Sequence, residues 1–124
     1  MTNQEVFDKV ARHLLTQKVQ SQVSDYGGGG DGGGCAYRGE NGTSCAIGCL
    51  IPNELYKPEM EGKSVSGLQR NSKELLELFR NTDSALLSAL QDIHDDIDPH
   101  CWAERLNSEA VAWDLDVSVL KEFE

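Results

Sequence analysis

Apolar side chains recur every three or four residues in several parts of this chain, and that spacing constrains the fold more than any other feature. Near the N-terminus, Thr2-x-x-Glu5 matches a capping box, and the apolar stripe that follows it extends to about Lys18. A stripe with this period is typical of an α-helix that buries one face, so the segment predicts an amphipathic helix. The members of the stripe are Val6, Phe7, Val10, Ala11, Leu14 and Leu15.

The helical spacing returns after residue 70 in three further segments, each preceded by a residue type that caps helices. The first two helices are predicted to carry their apolar residues to Phe79 and to Ile93. The third is expected to be one helix or two, broken near Asn107-Ser108 or near Asp116. The candidate caps are Asn71 or Ser72, Thr82 or Asp83, and Asp98, which precedes a proline at the first helical position.

Residues 35–45 separate the first helix from the later ones and contain the sequence Gly39-Glu40-Asn41-Gly42. Asn-Gly is a strong hairpin-turn signal because both residues tolerate positive φ, so we expect a short β-hairpin here. Residues 45–51 predict either a short helix that ends at Pro52 or a buried strand, and residues 52–70 predict a long irregular connection. The predicted fold class is therefore α+β, mostly α: a helical domain with one small β-hairpin between the first helix and the C-terminal helices.

The length of 124 residues predicts a single domain over residues 1–124, because a chain of this size buries enough surface for one core. Seven glycines within residues 27–34 predict a flexible loop, since glycine loses the most backbone entropy on ordering. Apolar runs as long as a membrane span are missing from the sequence, and the N-terminus is polar and acidic where a signal peptide is basic and then apolar. We therefore expect a cytoplasmic protein.

The net charge is −10, and almost all of it lies in the last third of the chain, where residues 83–124 hold 11 acidic and 2 basic side chains. Because this segment also carries a helical apolar period, it predicts a folded acidic helical surface rather than a disordered tail. Such a surface favours a basic protein partner and disfavours direct binding to nucleic acid or to a membrane. The candidate partner-binding residues are Asp92, Asp95, Asp96, Asp98, Glu104, Glu109 and Asp114.

Four cysteines are a high number for a chain without an export signal, and buried small side chains are the favoured interpretation. A zinc site is the first alternative, although the spacing is not that of a zinc ribbon or knuckle. A thiol enzyme is the second, with Cys45 as nucleophile and His94 as base, oriented by Asp95 or Asp92. The candidate zinc ligands are Cys35, Cys45, Cys49 and His94, with His100 or Cys101 as possible replacements.

Two other patterns do not match the ligand-binding loops that they superficially resemble. The glycine run is not followed by the Gly-Lys-Ser/Thr of a phosphate-binding loop. The aspartates of residues 92–98 follow the spacing D-x-x-D-D-x-D, which lacks the glycine of a calcium-binding loop. Trp102 is expected in the core, although Trp102 or Phe123 would be the natural anchor of a partner contact if either were exposed. We therefore predict no cofactor, with zinc as the alternative.

Residues 35–52 read Cys-Ala-Tyr-Arg-Gly-Glu-Asn-Gly-Thr-Ser-Cys-Ala-Ile-Gly-Cys-Leu-Ile-Pro, with small residues at Ala36, Ala46 and Gly48. This segment resembles a motif in a family of small uncharacterised bacterial and phage proteins, and the resemblance extends over about residues 4–62. It implies a prokaryotic or viral cytoplasmic protein and brings no activity with it. Read physically, the small residues allow close packing, and Tyr37 and Arg38 are the positions expected to present chemistry outward.

Together these features favour a non-enzymatic acidic interaction protein. In this hypothesis it is a phage-type inhibitor that binds a basic, nucleic-acid-binding surface of a host or defence protein, because spaced carboxylates on rigid helices imitate a row of phosphates. The alternative hypothesis is a cysteine-centred metal-binding protein or thiol-dependent enzyme that uses Cys45.

Overall fold

A computed structural model of the chain describes residues 1–23, 34–39, 42–61 and 65–123. Its α-helices and strands, in chain order, are α1 Asn3–Gln17, β1 Gln22–Val23, β2 Gly34–Cys35, α2 Val65–Asn71, α3 Lys73–Leu78, α4 Ser84–Asp96, α5 Trp102–Ala112 and α6 Ser118–Lys121. Short 3-10 turns lie at Gly48–Leu50, Pro58–Met60 and Pro99–Cys101.

Helix α1 forms as its sequence predicts and lies at the centre of the domain. Thr2 and Glu5 make both hydrogen bonds of the capping box, and Lys18 ends the helix in the left-handed conformation. The predicted apolar stripe is buried. It packs against α4, α5, α6 and the 3-10 turn at Gly48–Leu50. The core is therefore built around α1, with the C-terminal helices on it.

The later helices also begin where the capping residues indicate. The Ser72 hydroxyl accepts the Leu75 N–H at the start of α3, and Asp83 is the N-cap of α4. Asp98 precedes the 3-10 turn that leads into α5. The last segment forms two helices with a break around Asp116, which is one of the two predicted positions.

The predicted α+β class is wrong, because the described residues of the 35–45 segment do not form a β-hairpin. Within this segment one antiparallel bridge joins Arg38 and Ser44. The two-residue strands β1 and β2 pair with each other elsewhere, Gln22 opposite Cys35. A side chain distant in sequence limits the pairing. The Tyr37 and Arg38 N–H groups donate to the Glu61 carboxylate at 2.8 and 3.0 Å, so the Tyr37 N–H is not free to extend the ladder beyond the bridge. The described residues form a helical domain.

Two other expectations for the middle of the chain have different outcomes. Residues 52–70 are less irregular than predicted, since α2 begins within them. Leu68 of α2 is buried in the core, and α2 contacts α3 and α4, so tertiary packing stabilises this short helix. Of the predicted glycine-rich loop at 27–34, residues 27–33 lie outside the described part of the chain.

No helix in the described ranges is long and apolar enough to span a membrane.

Candidate functional site: the acidic cleft between α4 and α5

Three of the predicted partner-binding residues line one cleft between α4 and α5. Asp92 and Asp96 are four residues apart and therefore lie on the same face of α4, while Glu109 comes from α5. The cleft has a volume of about 220 Å³. Its apolar lining consists of Ala89, Ile93 and Ile97. We refer to Asp92, Asp96 and Glu109 with this lining as the acidic cleft.

The carboxylates of the acidic cleft repel one another. The pKa of Asp92 is raised above its ordinary value, first by partial burial and then by the negative charges of Asp96, Asp95 and Glu109. Arg105 lines the same cleft, yet no ion pair within 4.0 Å joins it to these carboxylates in the described structure. An added cation would therefore relieve repulsion that the protein itself leaves in place.

The other four predicted partner-binding residues do not join this cleft. Asp95 accepts hydrogen bonds from Gln91 and from His94, both at 2.8 Å. Asp98 accepts a hydrogen bond from His100, which lies in the 3-10 turn Pro99–Cys101. Glu104 is five residues before Glu109 on α5, about 140° around the helix axis from it, and Asp114 lies beyond the end of α5. The predicted single acidic face is thus divided into one cleft and separate exposed or structural carboxylates.

His94, the predicted catalytic base, is a buried structural residue. Its ring stacks on Trp102 with 5.7 Å between centroids. Its Nε2 accepts the backbone N–H of Ser21 at 2.9 Å, and its Nδ1 is 2.8 Å from Asp95 Oδ1. Because a neutral imidazole that accepts at Nε2 carries its proton on Nδ1, we assign Nδ1–H as the donor to Asp95. Both nitrogens are therefore engaged, and neither is free to take a proton from a nucleophile.

Cys45, the predicted nucleophile, is also buried, and its pKa is raised to about 12 because burial disfavours the thiolate. Its Sγ accepts the Gly48 N–H at 3.2 Å. Burial likewise raises the pKa of Cys49 to about 12, and the Cys49 thiol donates to the Ala46 carbonyl at 3.1 Å. These thiols are protonated near neutral pH, so the geometry does not support Cys45 as a nucleophile.

The candidate zinc ligands are not brought together by the described structure. Cys45, Cys49 and Cys101 are free thiols. Among the residues that the structure describes, no group of three or more His, Cys, Asp or Glu side chains is placed to hold a metal ion. The side chain of Cys35, the remaining candidate, lies outside the described side chains.

Tyr37 does not present chemistry outward, contrary to the prediction, because it is buried in the core. Arg38 is half-buried, and its guanidinium donates to Asn53 Oδ1 and to the Ile51 carbonyl, both at 2.7 Å. It also lies 4.9 Å above the ring of Tyr56. Arg38 thus holds the 51–56 segment in place.

The sequence did not indicate Arg105 or the apolar lining of the cleft as site residues. Ile93 belongs to the face of α4 that the apolar period assigns to the core, and Ala89 is half-buried beside that face. Their role at the cleft depends on how α5 packs beside α4, which the period alone does not specify. In the sequence, the i, i+4 spacing of Arg105 and Glu109 was the pattern that could have placed Arg105 on the same helix face as a predicted site residue.

No family model matches the chain, and no curated protein or solved structure shows significant similarity to it. The resemblance of residues 4–62 to small bacterial and phage proteins therefore stays a prediction.

Proposed function

We propose that this chain is a non-enzymatic binding protein whose acidic cleft takes a basic surface of a partner protein. The observation that carries the proposal is the group of three mutually repelling carboxylates, Asp92, Asp96 and Glu109, around an apolar lining. A lysine or arginine side chain suits this arrangement, because its aliphatic stem packs on apolar surface while its charged end meets carboxylates. The partner's cation replaces repulsion by attraction.

We further propose that the partner's basic surface is one that otherwise holds nucleic acid, so that the chain acts as an inhibitor, as phage-encoded inhibitors of host defence proteins do. The strong negative charge of residues 83–124 supports this, since it steers basic surfaces toward the cleft. Carboxylates held on two packed helices also offer fixed negative charges to a groove that binds phosphates.

The test is capture of partners from a bacterial lysate by the immobilised protein, in parallel with the double variant Asp92→Asn/Asp96→Asn. The control variant, Glu104→Gln/Asp114→Asn, removes the same charge from residues outside the acidic cleft. At about 0.7–1 kcal/mol for each lost charge, we expect the cleft variant to weaken binding of the captured partner roughly tenfold to thirtyfold. The control should weaken it no more than about twofold.

A salt series tests the binding of a basic partner, and a competition assay separately tests the displacement of nucleic acid from that partner. Raising the salt from about 0.1 M to about 1 M shortens the Debye length from about 10 Å to about 3 Å and should release the partner. A labelled duplex bound to the purified partner should be displaced by the wild-type chain and not by the cleft variant. Equal weakening by the cleft and control variants would show that net charge, and not the cleft, is responsible. Failure to displace nucleic acid would contradict the inhibitor proposal alone.

Arg105 offers a test with the opposite sign. Because Arg105 is the positive charge among the described residues that line the acidic cleft, Arg105→Gln should strengthen binding of a basic partner. We expect a few-fold gain in affinity, the size of one partly screened surface charge. A loss of affinity would show that Arg105 itself contacts the partner.

A further inference from the structure

A second groove, of about 350 Å³, lies between residues 54–60 and helices α2 and α3. It shares no lining residue with the acidic cleft. Its floor is apolar and comes from separate segments: Leu55 precedes the 3-10 turn Pro58–Met60, Met60 ends that turn, and Leu68 belongs to α2. Its size is within the usual range for sites that hold small ligands or short peptide segments.

The walls of this groove are held by hydrogen bonds that do not depend on a ligand. The Met60 N–H donates to the Lys57 carbonyl at 2.9 Å and closes the 3-10 turn. The next residue, Glu61, accepts from the Tyr56 hydroxyl at 2.6 Å. On the opposite side, Ser72 caps α3. The groove is therefore preformed, so a ligand does not have to order it.

The rim of the groove is predominantly acidic. Glu54, Glu59 and Glu74 are exposed and line it, and Lys57 is the positive charge among the described lining residues. In the described structure no ion pair within 4.0 Å involves any of the three carboxylates. Glu74 accepts a hydrogen bond from the Ser72 hydroxyl at 3.2 Å. An apolar floor beneath carboxylates without an ion-pair partner is complementary to an aliphatic group flanked by positive charges.

We propose that this groove binds a short basic segment of another protein, in which a leucine-like side chain enters the floor and neighbouring lysine or arginine side chains pair with Glu54, Glu59 and Glu74. An acidic or phosphorylated segment is excluded by repulsion from the same rim. A neutral apolar segment fits less well, since it would cover the carboxylates without pairing them. The site is additional to the acidic cleft and does not depend on the function proposed for that cleft.

The experiment is a titration of the ¹⁵N-labelled full chain with the peptide acetyl-Lys-Leu-Lys-Leu-Lys-amide, followed by NMR. We expect the amides of Leu55, Met60 and Leu68 to shift. Glu54→Gln/Glu59→Gln should raise the Kd about tenfold, whereas the charge-matched Glu104→Gln/Asp114→Asn should change it no more than about twofold. A peptide with serine in place of both leucines keeps the charge and should bind about tenfold more weakly.

Three results would overturn the proposal. If the serine peptide bound as tightly as the leucine peptide, the peptide would be held by net charge alone, and the apolar floor would not be used. Unchanged affinity in Glu54→Gln/Glu59→Gln would show that the rim is not involved. Shifts confined to residues 92–109 would place the peptide in the acidic cleft instead. Asp92→Asn/Asp96→Asn should leave this titration unchanged, so failure here and failure of the proposed function are distinguishable.

Discussion

Gly48→Ala gives the sharpest test of how the 35–52 segment is packed. A Cβ added at Gly48 would lie 2.0 Å from the Tyr37 carbonyl oxygen and 2.8 Å from the Tyr37 carbonyl carbon. Contacts under 3.0 Å are essentially never made by real Cβ atoms, so the two backbones must separate by about 1 Å, from 2.0 to at least 3.0 Å. The neighbouring atoms are backbone, and they have no alternative rotamer to adopt.

The surroundings of Tyr37 resist that movement. Its side chain is buried, and its N–H donates to the Glu61 carboxylate at 2.8 Å. Overpacking of a core costs about 1–3 kcal/mol, and weakening a charge-assisted hydrogen bond adds to this, so we expect a loss of about 3 kcal/mol. At about 4 °C for each kcal/mol in a domain of this size, Tm should fall by about 12 °C.

The assay is urea and thermal unfolding followed by circular dichroism. Gly42→Ala is the control, because Gly42 has a positive φ of 74° and open space around the added Cβ. There we expect only the cost of a left-handed alanine, about 1 kcal/mol. If Gly48→Ala unfolds within about 0.5 kcal/mol of the wild type, the close approach of Gly48 and Tyr37 is refuted.

Three further predictions concern stability and reactivity. His94→Leu leaves the buried N–H of Ser21 without its acceptor and should cost about 2–3 kcal/mol in urea unfolding. Asp92→Asn should stabilise the fold at pH 7 by a few tenths of a kcal/mol. Because the pKa of Asp92 is raised in the folded state, the folded state keeps this proton to higher pH than the unfolded state does. The stability of the wild type therefore falls as the pH rises from the unfolded-state pKa of Asp92 through its folded-state pKa. Unfolding measured across pH should show the gain disappear once Asp92 is protonated in both states. In native thiol labelling at about pH 8, half-buried Cys101 should react at least about a hundredfold faster than Cys45, whose pKa of about 12 leaves roughly one thiolate in ten thousand.

Each of these has an outcome that contradicts it. Wild-type stability of His94→Leu, with His100→Leu as the exposed control, would mean that Ser21 finds another acceptor. A stability gain for Asp92→Asn that persists at pH 2 would not be electrostatic. Labelling of Cys45 as fast as Cys101 in the folded protein, read by peptide mass spectrometry, would restore the thiol-based hypothesis.

Both proposed sites place carboxylates around an apolar surface, but they differ in how far the sequence reveals that negative charge. In the acidic cleft, the negative charge is evident from the sequence, and the packing of α5 beside α4 selects which three carboxylates meet. In the second groove, the carboxylates Glu54, Glu59 and Glu74 come from a part of the chain with little net charge. Composition therefore indicated the first site and gave no signal for the second.

The helices were predictable because their signals are local. A capping box, a serine or aspartate cap and an apolar residue every three or four positions act within about one turn of the chain, so α1, α3, α4 and α5 begin close to where the sequence indicates. The hairpin prediction was wrong for the complementary reason. Asn-Gly favours a turn, but a longer ladder also needs the N–H of Tyr37, and Glu61 accepts it.

The sequence specifies the helical period, the starts of α1, α3, α4 and α5, and the concentration of negative charge after Thr82, since each depends on residues close together in the chain. The packing of distant segments makes His94 a buried acceptor for the Ser21 N–H and makes Gln91 Oε1 the acceptor for the Ile47 N–H at 3.1 Å. Packing also selects which acidic residues share a cleft. Each of these features joins a side chain to groups from another segment of the chain. Such pairs depend on how the helices pack, and the local sequence pattern does not specify that packing.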